Sequence, residues 1–178
     1  MQKRNKEARH GMKVAILAPV GRDAELIADI LRNESIDVAP CDCFADLLEH
    51  IRTAGGPFIF SEEAVAENQI DELLKTLDQQ PDWSDIPSII LSGRQPGWNS
   101  FERIKVRRSM NLIQRPVKKS TLVSMARAAM EVRRRQYEIK ELLEDLRQTN
   151  EKLGERTLLL QQLALELTMS EERERRRI

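Results

Sequence analysis

Cysteine is nearly missing from this chain of 178 residues; Cys41 and Cys43 are the whole supply. One residue apart on a strand, they cannot readily bridge each other. With no second pair, they do not form a metal site either. Both read as small packing residues, with redox sensing as the alternative. Long apolar runs are also missing. None approaches the roughly eighteen residues that a membrane-spanning helix needs. The opening "MQKRNKEARHGMK" is basic, but no apolar stretch of signal-peptide form follows it. Residues 1–12 are therefore expected to be a disordered lead-in or an expression scar. An excess of either charge is lacking too: 29 basic and 29 acidic residues give a formal net charge of zero. No global field then draws the chain to nucleic acid or to an anionic membrane. Aromatics are scarce at 4%, while charged residues reach 33%. That balance suggests long solvated helices beside a modest core, and a cytoplasmic setting fits it.

What is present falls into two halves. Up to about residue 130, short apolar runs alternate with helical patterns. "KVAILAP" (13–19), "IDVAPCDC" (36–43), "PFIFS" (57–61), "IPSIILS" (86–92) and "NLIQRPV" (111–117) read as strands. "RDAELIADILRNE" places Leu26, Ile27, Ile30 and Leu31 on one helical face, and "FADLLEHIRTAGG" stops at Gly55 and Gly56. "QIDELLKTLDQQ" is ended by Pro81, and "FERIKVRRSM" is a candidate short helix. Near-continuous apolar strands alternating with helices predict a parallel sheet covered on both faces. The expected fold class is α/β, a flavodoxin-like doubly wound five-stranded sheet in order 2-1-3-4-5 over residues 13–130, followed by a long α-helical coiled coil.

From Ser120 onward there is no proline, and the sole glycine is Gly154. Every seventh residue is apolar: Met125, Val132, Ile139, Leu146, Leu153, Leu160 and Leu167. Positions three residues further on are poorer: Ala128, Arg135, Leu142, Thr149, Arg156, Leu163 and Ser170. The second row is thus patchy, or its register shifts near Gly154. A helix of roughly 55 to 60 residues would run about 80 to 90 Å at 1.5 Å per residue. Residues 131–178 are read as a parallel homodimeric coiled coil with the seam Val132, Ile139, Leu146, Leu153, Leu160 and Leu167. A solvated single helix is the alternative. The basic run "VRRRQ" (132–136) is followed by acids and has no interleaved aromatics, so it reads as a solvated coil face rather than a nucleic-acid site.

Ligands of such a domain bind beyond the carboxyl ends of its strands. Here those ends are Ala18 and Pro19, Ser61 and Glu62, Ser92 and Gly93, and Arg115 and Pro116. The unit order, "LSG" closing strand four and "RPVKKSTL" closing strand five resemble the receiver domain of two-component response regulators over about residues 12–130. The resemblance gives Ser92 the hydroxyl position and Pro116 the proline, with Arg115 where a lysine belongs. It also implies two acids after strand one and an aspartate after strand three, which together hold Mg²⁺. Ala18 and Pro19 supply no carboxylate, and the acceptor position holds Ser61 or, one residue on, Glu62. Without a metal clamp the charge of a transferring phosphoryl group is not neutralised, and Ser61 has no evident activating base. The domain is expected to be a pseudo-receiver with no cofactor, no metal and no catalytic residue. Glu62 paired to Arg115 would mimic a phosphorylated state; alternatively, Glu62 and Glu63 open the next helix, favoured by its dipole. "GRDAEL" after strand one lacks both the G-x-G-x-x-G spacing and a P-loop lysine, so it is not read as a nucleotide site. Trp98 in "GRQPGWNS" is a candidate partner contact or a half-buried aromatic.

"KTLDQQPDWSDIPSIILSG" (75–93), "FSEEA" before it and "RRRQYEIKELLEDLR" (133–147) after it resemble the N-terminal module of certain bacterial sensor histidine kinases. "EERERRRI" at the end resembles the lead-in to a kinase dimerisation helix. His10 and His50 lie far from that tail, so neither takes the phosphoacceptor part, and Ile178 is read as a cut. The resemblance implies a regulatory, dimerising piece of a histidine kinase, with the kinase core and a cognate response regulator as partners and neither nucleic acid nor membrane. Alternatives are a working regulator phosphorylated at Ser61 or a neighbouring acid, and a scaffold whose coil binds another protein's coil.

Overall fold

The computed structural model describes residues 12–18, 22–53, 55–93 and 109–176. The chain divides into two compact units, Met1–Tyr137 and Glu138–Ile178. Among the described residues the first unit holds strands β1 (Val14–Leu17), β2 (Val38–Pro40), β3 (Phe58–Ser61), β4 (Ser88–Ser92) and β5 (Met110–Gln114). Between them come helices α1 (Asp23–Arg32), α2 (Phe44–Thr53) and α3 (Glu67–Asp78), with a 3-10 turn at Glu62–Ala64. Helix α4 (Lys119–Arg175) begins after β5 and continues into the second unit. Pro19, the loop around Trp98, the candidate helix of "FERIKVRRSM" up to residue 108 and the lead-in 1–11 lie outside the described residues.

The sheet is parallel throughout, in the order β2-β1-β3-β4-β5, as the alternation of units predicts. Successive strand residues point to opposite faces, and both faces are apolar. Ala15, Leu17, Phe58, Phe60 and Ile90 pack with Leu47, Leu48 and Ile51 of α2 and Ile70, Leu73 and Leu77 of α3. Val14, Ile16, Ile59, Ile89 and Leu91 pack with Ile27, Ala28 and Leu31 of α1 and Leu122, Val123 and Ala126 of α4. Coverage on both sides explains the apolar runs of β1, β3 and β4, while the edge strands β2 and β5 are partly exposed. The expected face of α1 shifts slightly: Ile27 and Leu31 are buried with Ala28, while Leu26 is 56% exposed.

Local chemistry sets the helix ends. Asp46 accepts from the N–H groups of Asp42 (3.0 Å) and Cys43 (3.1 Å), which tie down the chain entering α2. Gln69 reaches back to the Ala66 N–H at 2.9 Å as α3 begins. Helix α2 stops where Gly55 takes φ +58°, a left-handed value that glycine adopts without a Cβ penalty. Cys41 packs against the core cluster of α2 and α3, as a strand cysteine should, but Cys43 is exposed. No helix among the described residues is long and apolar enough to cross a membrane.

In the second unit every described residue from Leu142 to Arg176 is exposed. The helix runs through Gly154 unbroken, and a Cβ added there would meet nothing within 4 Å. The seam residues stand in the open, from 47% exposure at Val132 to 67% at Leu167. Met125, which precedes them in the row, instead packs partly against the domain core.

Candidate functional site

The carboxyl ends of β3, β4 and β5 converge on one polar cluster. Strand β3 delivers Ser61, which is buried, and the chain then tightens into the 3-10 turn that turns Glu62 inward at 9% exposure. The Glu62 carboxylate accepts two hydrogen bonds at one oxygen, Oε2. The donors are the Ser92 hydroxyl at 2.9 Å and the Gly93 N–H at 2.8 Å. Both lie where β4 runs out. The neighbouring strand is held by the Arg115 N–H, which donates to the Ser92 carbonyl at 2.9 Å. Charge-assisted bonds of this kind are the stronger class, and Glu62 is thereby fixed to the end of β4.

Arg115 does not pair with Glu62, contrary to one expectation from the sequence. Its guanidinium bonds Glu63 through Nη2 and lies 3.4 Å from Asp23 through Nη1. The two acids divide the work. Glu62 points in and takes neutral donors, while Glu63, one residue on, points out to the cation. The alternative expectation holds in reduced form: the acids open a 3-10 turn, and the helix proper begins at Glu67. The site a Cβ would take on Gly93 lies within 4 Å of Glu62 Oε2, Glu63 Oε1 and Arg115 Nη2, so these groups gather around one point. Ala18 is buried at the end of β1, Pro116 is exposed, and the Arg115–Pro116 peptide is cis. The Ser61 Oγ is buried without a hydrogen-bond partner among the described residues.

These residues do not fit a divalent cation. Among the described residues no three His, Cys, Asp or Glu side chains gather as a metal would need. The Glu62 oxygen is occupied by two donors, and the Asp23 and Glu63 carboxylates share a guanidinium. Ala18 contributes only a methyl group.

A second polar cluster escaped the sequence reading. Arg133, assigned there to a solvated face, is 1% exposed. Its Nε donates to the Gly55 carbonyl at 2.5 Å, and its Nη1 to Ser84 Oγ at 2.8 Å and Gln136 Oε1 at 2.6 Å. The guanidinium carbon lies 4.7 Å from the Tyr137 ring centre and 5.2 Å from that of Trp83. Gln136 in turn donates to the Asp85 carbonyl at 2.6 Å. Burial pushes the Arg133 pKa down, while Tyr137 and Asp85 oppose that shift. The signal was in the spacing. Leu122, Ala126, Ala129 and Arg133 succeed one another at four, three and four residues, which is one helical stripe, and the first three are buried. Gly55 suits the place beneath it, since its φ of +58° disfavours other residues and a Cβ there would press on Arg133 Nη2 at 2.9 Å.

Five parallel strands in this order, with a polar cluster beyond the carboxyl ends of β3, β4 and β5, define the flavodoxin-like fold of receiver domains. Solved structures agree: 31 chains match. A receiver domain protein from Methanospirillum hungatei JF-1 is similar at 15% identity and TM-score 0.55, covering 71% of this chain and 99% of that one. A response regulator receiver domain protein from Bacillus halodurans C-125 is similar at 18% identity and TM-score 0.50, covering 66% and 96%. NtrX from Brucella abortus is similar at 20% identity and TM-score 0.54, covering 76% of this chain and 29% of that one, so the chain spans less than a third of NtrX. No protein-family model matches the sequence, and no curated protein matches it.

Proposed function

We propose that this chain is a regulatory and dimerising module of two-component signalling, in which a receiver-like domain has given up phosphoryl transfer and works through assembly. The observation that carries the reading is the Glu62 carboxylate, which accepts from the Ser92 hydroxyl and the Gly93 N–H. Those two donors at the end of β4 are what an incoming phosphoryl oxygen would need, and a fixed side chain already fills them. Supporting it, Ala18 and Pro19 offer no carboxylate after β1, and Arg115 supplies the positive charge between Asp23 and Glu63. Ser61 is a poor nucleophile in this setting: among the described residues its Oγ has no hydrogen-bond partner that could act as a base.

The module would belong to a cytoplasmic histidine kinase, pair through its coil, and work with a kinase core and a cognate response regulator. It would carry no catalytic residue of its own. The test is intact-mass measurement after incubation with Mg²⁺ and acetyl phosphate, beside an ordinary receiver as control. An unchanged mass is expected. One added phosphate mapping to Ser61 or Glu62 would establish a live regulator instead. The coil would then be its output arm.

A further inference from the structure

We infer that the second unit pairs with a second copy of itself in parallel and in register, and that Asn150 sets that register. This rests on the parallel dimer reading above and adds its register and its specificity residue.

The leucine row needs a second row to make a seam. Three residues on, its companions between Ile139 and Leu167 are Leu142, Thr149, Arg156 and Leu163. Four residues on, they are Leu143, Asn150, Thr157 and Ala164. Each choice offers two apolar residues, so hydrophobicity does not separate them. The polar members do. The first choice buries Arg156, a cation, in an interface with no acid in the row to meet it, which is costly. The second buries Asn150 and Thr157, small neutral groups. It also makes Ile139, Leu146, Leu153, Leu160 and Leu167 the d positions and Leu143, Asn150, Thr157 and Ala164 the a positions. Leucine at d with one asparagine at a is the pattern that favours a two-stranded parallel coil. In this frame Gly154 falls at an e position, beside the seam, and no register shift is needed there. That agrees with a helix that passes through Gly154 without interruption.

The amide chooses the partner. In a parallel pair in register, the a residue of one chain faces the same a residue of the other. Asn150 then meets Asn150, and each side-chain amide finds a donor and an acceptor. In an antiparallel pair Asn150 faces an isoleucine or leucine of the d row and its buried amide goes unsatisfied; slipped by a heptad, one Asn150 faces Leu143 and is unsatisfied, while the other faces Thr157, whose hydroxyl meets only part of the amide's needs. The flanks raise little objection. Between Leu142 and Thr168 the g and e′ neighbours of a parallel pair are Leu142 with Arg147, Thr149 with Gly154, Arg156 with Gln161 and Leu163 with Thr168, none of like charge, while Arg135 with Lys140 at the start of the row sets two cations together. The core positions are free to be covered: Ile139, Leu143, Leu146, Leu153, Leu160 and Leu167 are all more than half exposed. Five d positions from Ile139 to Leu167 span four heptads, which meets the three or four that such a coil requires.

The test uses the full chain with Cys41 and Cys43 replaced by serine. Leu146→Cys and Leu160→Cys are made separately, oxidised mildly, and read on a non-reducing gel beside sedimentation of the unoxidised protein. Both variants are expected to sediment as dimers, and in each most of the chain should become covalent dimer. An antiparallel pair can bring only one of these two positions against itself, so a single cross-linking variant overturns the inference. A dimer in which neither cross-links overturns the register while leaving dimerisation intact. A monomer at every concentration overturns both. Asn150→Leu should raise the thermal midpoint and add trimers or tetramers to the sedimentation profile. An unchanged single dimer would remove Asn150 from the role.

Discussion

At the scale of single residues, Glu62 and Arg115 differ in what surrounds them, and their substitutions should differ accordingly. Glu62→Ala removes the acceptor of the Gly93 N–H and of the Ser92 hydroxyl in a partly buried setting, where the hydroxyl keeps only the Gly93 carbonyl at 3.1 Å. The expected cost is about 1–3 kcal/mol, measured by denaturant unfolding. Arg115→Ala removes two pairs whose carboxylates are 44% and 47% exposed. Water screens those pairs, so the expected cost is about 0.2–1 kcal/mol. The opposite ranking would place the ion pair, not the buried acceptor, at the centre of the site. His50 supplies a pH dependence. Burial holds its pKa below the ordinary 6.5, and its Nε2 has no hydrogen-bond partner among the described residues. The unfolded imidazole takes a proton near 6.5 while the folded one still resists. The unfolded chain therefore binds more protons in that window, and stability falls as pH drops through 6.5, flattening below the folded value. Denaturant midpoints across neutral to mildly acid pH should show this fall, and His50→Gln should flatten it. The residue scale is also where sequence reading lost most. Which strand ends carry polar groups could be read from Ser61, Glu62, Ser92 and Arg115. Which of two adjacent glutamates turns inward could not. That depends on a three-residue turn whose geometry no periodicity encodes, and on Asp23, distant in sequence, reaching Arg115.

At the scale of elements, the sheet was legible because both faces of its central strands β1, β3 and β4 are covered. That coverage forces apolar runs there, and the punctuation at Gly55 and Pro81 separates them. Helix α4 was legible as a helix, but not in where its duties change. Arg133 reads as surface on composition alone, since a guanidinium is seldom fully buried. It is buried here because Trp83 and Tyr137 flank it and three oxygens receive its protons. Arg133→Met keeps much of the volume but leaves the Gly55 carbonyl without its donor. It should cost about 2 kcal/mol of stability, and Arg133→Ala more, because a cavity is added. Differential scanning fluorimetry of the two variants checks the order. Equal midpoints for both variants and the parent would make the cluster ornamental.

At the scale of the whole molecule, the proposed pairing through the coil would link stability to concentration by mass action. The thermal midpoint of the full chain should rise with protein concentration, while a chain ended at Tyr137 should melt at a midpoint independent of it. Calorimetry over a dilution series distinguishes the two. The two polar clusters of the first unit also stand in a shared relation to β3 and β4. Gly55 precedes β3 and Glu62 follows it; Ser84 precedes β4 and Ser92 closes it. Arg133 ties the entries of these two strands together, and Glu62 ties their exits. The strand pair is therefore bolted at both ends, and neither strand can slide along the other without stretching both fastenings. The bolt at the far end from Glu62 is carried by α4 itself, at Arg133, about four turns in from its start at Lys119.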